Sequence, residues 1–144
     1  MTYQKKNKLH IVAVTALIIN KEGKLLVVKR SMREIAFPGR WALPGGKLED
    51  NETVMEGLKK ECKEEVGIEI ENKKIYVDDN AFVRPDNQTV KVFCYLVFAK
   101  GLEVKLNKDD FDEYQWAGIE EIGEYEVLGM DREKLNKVQK VLNL

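Results

Sequence analysis

Three glutamates in the middle of the chain are spaced so that they can share one side of a helix. Glu61, Glu64 and Glu65 fall within an arc of about 100° when successive residues are placed as in an α-helix. Like charges at this spacing repel each other by about 0.2–0.5 kcal/mol per pair. Oxygen ligands in such a cluster suit a divalent cation such as Mg²⁺, which would remove the repulsion. The alternative is an ordinary solvated helix face, because Glu56 and Lys60 also form i,i+4 pairs along this segment.

A turn with two glycines precedes these glutamates. Residues 41–47 read Trp-Ala-Leu-Pro-Gly-Gly-Lys, with Gly45 and Gly46 shortly before the helix. Glycines at this place let backbone N–H groups approach an anion, and they also suit a simple tight turn. In combination with a carboxylate helix, the turn favours a site for a metal ion and a phosphate.

The remaining pattern predicts strands around this central helix. The helix carries an apolar stripe that includes Leu58, Cys62 and Val66, and Gly67 is placed to end it. The first thirty residues predict a β-hairpin. We expect strands over 9–20, 25–29, 89–99 and 113–117, mixed strand and turn over 68–83, a helical turn over 119–125, and helices over 52–66 and 131–141. The fold class is therefore a layered α/β or α+β architecture.

Composition excludes several classes of protein. The 144 residues are 44% hydrophobic and 34% charged, which excludes a disordered chain and a collagenous repeat. With 24 Lys+Arg against 25 Asp+Glu, the chain lacks the basic excess of a nucleic-acid or membrane-surface binder. Its longest apolar run, 11–19, is too short to span a bilayer, and we find no export signal. We expect one domain over 1–144 in the cytoplasm, with Cys62 and Cys94 reduced and buried.

The segment from Gly46 to Ile68 resembles the Nudix box. Gly46 is followed after five residues by Glu52 and after seven more by Lys-Glu-Cys-Lys-Glu-Glu-Val-Gly-Ile. The family pattern is Gly-x5-Glu-x7-Arg-Glu-U-x-Glu-Glu-x-Gly-U, where U is a bulky aliphatic residue. These 23 residues depart from it at two positions, Lys60 and Cys62. The preceding Trp-x-Leu-Pro-Gly-Gly-Lys and the later Glu-x-x-Trp at 113–116 also look like family features.

This resemblance implies a Nudix-type α/β/α sandwich with a central mixed β-sheet. It also implies a metal-dependent enzyme that hydrolyses a phosphoanhydride bond in a nucleoside diphosphate linked to another moiety. A pyrophosphohydrolase of the housecleaning type that acts on a nucleoside triphosphate is the first expectation. The alternatives are an ADP-ribose or nucleotide-sugar pyrophosphatase, and a Nudix-fold sensor that binds a nucleotide without cutting it.

Roles for individual residues follow from the same resemblance. Mg²⁺ or Mn²⁺ would be bound by Glu61, Glu64, Glu65 and the backbone carbonyl of Gly46. The general base would be Glu64 or Glu65, or a loop carboxylate, for which Glu113 is the candidate. Glu52 would support the motif through Lys60. Because lysine cannot form the planar fork of the family arginine, we expect weaker preorganisation and a lower rate.

The remaining candidates concern a small-molecule nucleotide as the partner, bound by a monomer or a homodimer. Arg30, Lys47 and Arg84 could contact phosphates, and Phe37 and Trp41 could stack on a base. The only histidine, His10, has no partner at ligand spacing, and we expect it to be structural or exposed.

Overall fold

A mixed β-sheet forms the centre of the computed structural model, which describes residues 9–143. The basic segment 1–8, part of our expectation that there is no export signal, lies outside the described residues. In the described chain the strands are β1 (Ile11–Ile19), β2 (Leu25–Arg30), β3 (Trp41–Ala42), β4 (Gly45–Lys47), β5 (Ile70–Val83), β6 (Thr89–Ala99) and β7 (Phe111–Ala117). The helices are α1 (Val54–Val66), α2 (Ile122–Tyr125) and α3 (Arg132–Leu142).

Strands β1 and β2 meet only at the turn that joins them and then diverge. Ile19 lies opposite Leu25, but further along β1 pairs with β4 and β2 pairs with β3. The outer edges of the two strands are taken by β6, parallel to β1, and by β7, antiparallel to β2. The predicted hairpin is therefore formed at its turn alone, because residues 41–47 supply the hydrogen bonds between the diverging strands.

The two faces of the sheet are covered by different helices. Side chains alternate along β1, so that Val14 and Ile18 face a core closed by α1. Leu17 and Ile19 face a second core, to which α2 and α3 contribute. The expected α/β/α sandwich is confirmed. The predicted free, buried state of the cysteines is also confirmed, with Cys62 in the first core and Cys94 in the second.

Helix α1 begins and ends with well-formed caps. The Thr53 side chain accepts a hydrogen bond from the N–H of Glu56, and the Glu56 side chain accepts one from the N–H of Thr53. Gly67 ends the helix in the left-handed conformation, with φ of 67°. The predicted range 52–66 therefore began two residues too early, since Thr53 is extended and stands outside the helix.

The other boundaries differ little from the predicted ones. Asp131 caps α3 by accepting a hydrogen bond from the N–H of Lys134 at 2.8 Å, so the helix begins one residue later than predicted. The segment predicted as mixed strand and turn is the single strand β5, which has two register shifts against β6. None of the helices in the described part of the chain is long and apolar enough to cross a bilayer.

Candidate active site

Two consecutive glycines let β4 lie close to strand β1 on one side and to helix α1 on the other. A Cβ atom on Gly45 would lie 2.3 Å from the carbonyl oxygen of Val14 on β1. A Cβ atom on Gly46 would lie 2.5 Å from the carboxyl carbon of Glu61. No side chain fits at either position unless a neighbour moves. The Gly-Gly pair is therefore required by close approach, on one side to backbone and on the other to a carboxyl group.

Glu61 and Glu65 form a hydrogen-bonded pair of carboxyl groups beside these glycines. The carboxyl of Glu65 donates to Glu61, and the N–H of Gly45 donates to Glu65 Oε1 at 3.1 Å. Burial, followed by the hydrogen bond to Glu61, raises the pKa of Glu65 from its ordinary value of 4.5 to about 9. Burial also raises the pKa of Glu61. The pair therefore keeps a proton at neutral pH, because two carboxylates this close do not ionise together without a counter-charge.

The pair opens into a polar cleft of about 270 Å³. Glu64 is exposed and lines the same cleft. The opposite wall is lined by residues from the end of β2, from the loop that follows it, from the segment before β7 and from the start of β7. These are Arg30, Glu34, Asn107, Asp110 and Phe111. Five acidic side chains thus share a cleft whose lining includes one cation, the guanidinium of Arg30.

Arg30 is held in place by the loop that follows it. Its Nε donates to the carbonyl of Ala36 at 2.8 Å, and its Nη2 lies 3.5 Å from Glu34 Oε2. The ends of this loop are joined, since the N–H of Arg30 donates to the carbonyl of Arg40 at 2.9 Å and the N–H of Gly39 donates to Arg30 at 3.0 Å. Burial and the neighbouring carboxylates, Glu34 first, raise the pKa of Asp110 in the same wall.

Lys60 occupies the position of the family arginine and contacts Glu52. Its Nζ lies 2.9 Å from each carboxylate oxygen of Glu52 and 3.9 Å from Glu61 Oε1. The hydrogen bond between them lowers the pKa of Glu52 and raises that of Lys60. Glu52 also accepts a hydrogen bond from the N–H of Glu49 at 2.8 Å. The predicted contact of Glu52 with Lys60 is confirmed, and a single ammonium group reaches both glutamates.

Comparison with known proteins agrees with this geometry. The profile of the NUDIX domain matches residues 9–139. The chain belongs to the Nudix family. It is 30% identical over 129 residues to the nucleoside triphosphatase NudI of Klebsiella pneumoniae, covering 83% of this chain and 91% of that protein. It is 30% identical over 119 residues to the Escherichia coli O139:H28 protein of the same name, covering 76% and 84%. The chain is thus a Nudix hydrolase, an enzyme that acts on acid anhydrides.

Solved Nudix structures share the fold over most of the chain. A MutT protein from Methanosarcina mazei has a TM-score of 0.69 and 26% identity, covering 97% of this chain and all of that one. The NUDIX domain of Shewanella oneidensis NrtR, solved with ADP ribose, has a TM-score of 0.73 and 15% identity, covering 94% and 90%. At that identity the second likeness concerns the fold alone.

The donor groups of the cleft fit a divalent cation, of the kind that Nudix proteins generally use. In residues 9–143 no three His, Cys, Asp or Glu side chains already stand at ligand distance from a common point. The half-buried Glu61–Glu65 pair nevertheless holds a proton that a cation can replace, and Glu64 offers a further carboxylate in the same cleft. The backbone of Gly46 lies directly against the carboxyl of Glu61.

The predicted substrate contacts are distributed over several parts of the surface. Arg30 lines the cleft, whereas Lys47 is exposed at the end of β4. Arg84 lies in the turn between β5 and β6, where its Nη2 is 2.5 Å from Asp86 Oδ2. Phe37 is exposed, in a left-handed conformation, on the loop after β2. The Trp41 ring packs edge-on against Tyr125 at 5.0 Å, next to the second core.

The structure does not bring Glu113 into the cleft. This residue lies on β7 opposite Lys29, whose Nζ is 3.4 Å from Glu113 Oε2, and it lines a different groove. Sequence reasoning instead selected neither Glu34 nor Asp110, both of which line the cleft. The acidic run at 109–113 could have identified the correct loop, although not which carboxylate faces the cleft. His10 is exposed, as expected.

Proposed function

We propose that this Nudix hydrolase cleaves nucleoside triphosphates and releases pyrophosphate, using Mg²⁺ or Mn²⁺ held by Glu61, Glu64, Glu65 and the carbonyl of Gly46. The observation that carries the proposal is the half-buried Glu61–Glu65 pair, held against Gly45 and Gly46 in an acidic cleft. Two relatives named as nucleoside triphosphatases, each 30% identical to the chain, support the substrate class.

The cleft residues have different roles in binding the phosphate chain of the substrate. A bound divalent cation supplies positive charge to the phosphate oxygens and acidifies water. The carboxyl groups of Glu61 and Glu65 are positioned by the N–H of Gly45 and by the close approach of Gly46. The guanidinium of Arg30 at the opposite wall binds a phosphate oxygen in place of its long contact with Glu34.

Proton transfer is the role of a carboxylate that stands free of the pair. We assign it to Glu64, which is exposed in the cleft. A water oxygen attacks phosphorus, its proton passes to Glu64, and the bond from phosphorus to the bridging oxygen breaks with its electron pair leaving on pyrophosphate. Among the loop carboxylates, Asp110 rather than Glu113 is the candidate for the general base, because Asp110 lines the cleft and Glu113 does not.

The substrate is proposed to be a free nucleotide, and the compartment the cytoplasm. The acidic side chains of the cleft would repel the extended phosphate backbone of a nucleic acid, whereas a short phosphate chain can enter together with its cation. Both cysteines are free and buried, which suits a reducing compartment.

A nucleotide panel with product masses tests the proposal. Canonical and oxidised nucleoside triphosphates, ADP-ribose, nucleotide sugars and dinucleoside polyphosphates are each incubated with Mg²⁺ and, separately, with chelator. We expect metal-dependent conversion of triphosphates to monophosphate and pyrophosphate. Turnover of ADP-ribose or nucleotide sugars alone would replace the proposed substrate class, and binding without turnover would favour a sensor.

Matched variants test the residues. Glu64→Gln should abolish turnover and leave the thermal unfolding temperature unchanged, because the side chain is exposed. Glu69→Gln, an equal change at an exposed site outside the cleft, should leave turnover unchanged. Full activity of Glu64→Gln would refute its assignment as base and ligand.

A further inference from the structure

Strand β5 leaves one edge of the sheet open. In the described chain it is the last strand in the order β3-β2-β1-β6-β5, and β6 is the strand with which it pairs. It is 14 residues long, and the side chains of Tyr76, Phe82 and Val83 are at least half exposed along it. Long open edges offer unpaired N–H and C=O groups to another strand, and natural proteins restrict such pairing with charged residues.

The charges on β5 are arranged in a self-complementary order. The strand reads Lys73-Lys74-Ile-Tyr-Val-Asp78-Asp79, with a basic pair and an acidic pair on either side of three apolar residues. When this segment is laid antiparallel to itself, a lysine of each copy falls opposite an aspartate of the other. Parallel self-pairing instead places lysine opposite lysine and aspartate opposite aspartate, which is unfavourable.

The faces of the strand match in the same arrangement. Lys74 lies opposite Val97 and Asp79 opposite Phe93 on β6. Because Val97 and Phe93 are four residues apart on one strand, Lys74 and Asp79 project from the same face of the sheet. The two side chains would therefore meet across an antiparallel pair of β5 strands. Asp78 is already paired with the buried Lys134, at 3.1 Å, whereas Asp79 accepts a hydrogen bond from the neutral hydroxyl of Tyr76. Within residues 9–143, Asp79 is therefore the acid of this segment that has no cationic partner.

We propose that two copies of this chain associate through β5, antiparallel about a two-fold axis between Tyr76 and Val77, with Lys74 of each copy opposite Asp79 of the other. Such an interface is isologous, since one surface serves both copies. One register shift of β5, between Tyr76 and Asp78, falls at this axis, and the other, between Ile70 and Lys74, lies beyond the contact of Lys74 with Asp79. The exposed rings of Tyr76 and Phe82 add apolar surface along the same edge.

Charge reversal with rescue tests the interface. Sedimentation velocity at low salt should give the wild-type protein a mass twice the 16.6 kDa of one chain at high concentration. K73E/K74E makes the edge wholly acidic, and D79K leaves Asp78 as its only acid in this segment. Each variant alone should dissociate at a concentration at least about tenfold higher than wild type. An equimolar mixture of the two should form a heterodimer, because acidic and basic residues again face each other.

A control separates the edge from net charge. K21E/K24E makes the same charge change at the exposed turn between β1 and β2 and should leave association unchanged. Rescue in the mixture also shows that both variants are folded. A wild-type protein that stays monomeric overturns the proposal, and so does a dimer that both edge variants leave intact. Two folded variants that fail to associate when mixed would do the same.

Discussion

The contact between Gly46 and Glu61 predicts that one added methyl group will damage catalysis and spare the fold. In Gly46→Ala the new Cβ would lie 2.5 Å from the Glu61 carboxyl carbon, whereas ordinary contact begins at 3.4 Å. The carboxyl must therefore move by about 0.9 Å. Gly46 has no positive φ, so alanine can adopt its backbone conformation.

The size of the effect on stability and on kcat/KM depends on which atoms must move to make room for the new methyl group. The obstructing atoms of Glu61 are the far end of a flexible side chain, so relief takes a side-chain rotation and the unfolding temperature should change little. A displacement of this size in a site that positions reacting groups is expected to lower kcat/KM by about 100-fold. In Gly45→Ala the obstruction is the backbone carbonyl of Val14 at 2.3 Å, so that variant should lose stability as well.

The assay combines turnover with thermal unfolding. Steady-state pyrophosphate release at saturating Mg²⁺ gives kcat/KM, and circular dichroism gives the unfolding temperature. Gly101→Ala is the matched control, because a Cβ atom there meets nothing within 4 Å and its φ is not positive. A folded Gly46→Ala enzyme within a few-fold of wild-type kcat/KM would refute the idea that Gly46 sets the position of Glu61.

Three further outcomes are expected. Between pH 4.5 and about 9, the folded chain keeps on Glu65 a proton that the unfolded chain has already released. Stability in chelator should therefore fall as pH rises through that window. The fall in unfolding temperature should be smaller in Glu65→Gln. Arg30→Ala should lower kcat/KM about 10- to 100-fold, whereas Arg84→Ala, whose arginine is paired elsewhere, should match wild type in the same assay. Lys60→Met should lower kcat about tenfold through loss of the Glu52 contact, and Lys60→Arg should retain at least wild-type kcat; equal kcat in all three would contradict a positioning role.

The sequence could predict those residues of the site that lie in one continuous segment of the chain. Gly46, Glu61 and Glu65 lie within 23 residues, and helical spacing brings the two glutamates onto one side of α1. The strong capping signals at Thr53 and Gly67 fix where that helix begins and ends. Local rules were sufficient here because the contacts that matter are separated by one or two helical turns, or by one short strand.

The opposite wall depends on contacts between distant segments. Asp110 reaches the cleft because its carbonyl accepts a hydrogen bond from the N–H of Ser31 at 2.8 Å, across almost eighty residues. Glu34 belongs to an irregular loop with no periodic signal. The spacing of Glu113 to Trp116 resembles a family feature, but strand pairing sets Glu113 beside Lys29. The divergence of β1 and β2 could not be predicted from sequence for the same reason, since it depends on the pairing of these strands with β4 and β3.

The loop after β2 is closed at its base by its own backbone, and this affects how the enzyme can change. Hydrogen bonds between Arg30 and the pair Gly39 and Arg40 close its base, independently of what the residues between them are. Insertions or exchanges within 32–38 would leave both the glycine strand and the glutamate helix where they are. Yet the same loop supplies Glu34 to one side of the cleft. Selection can therefore alter which nucleotides are admitted while the residues proposed to cut them stay fixed.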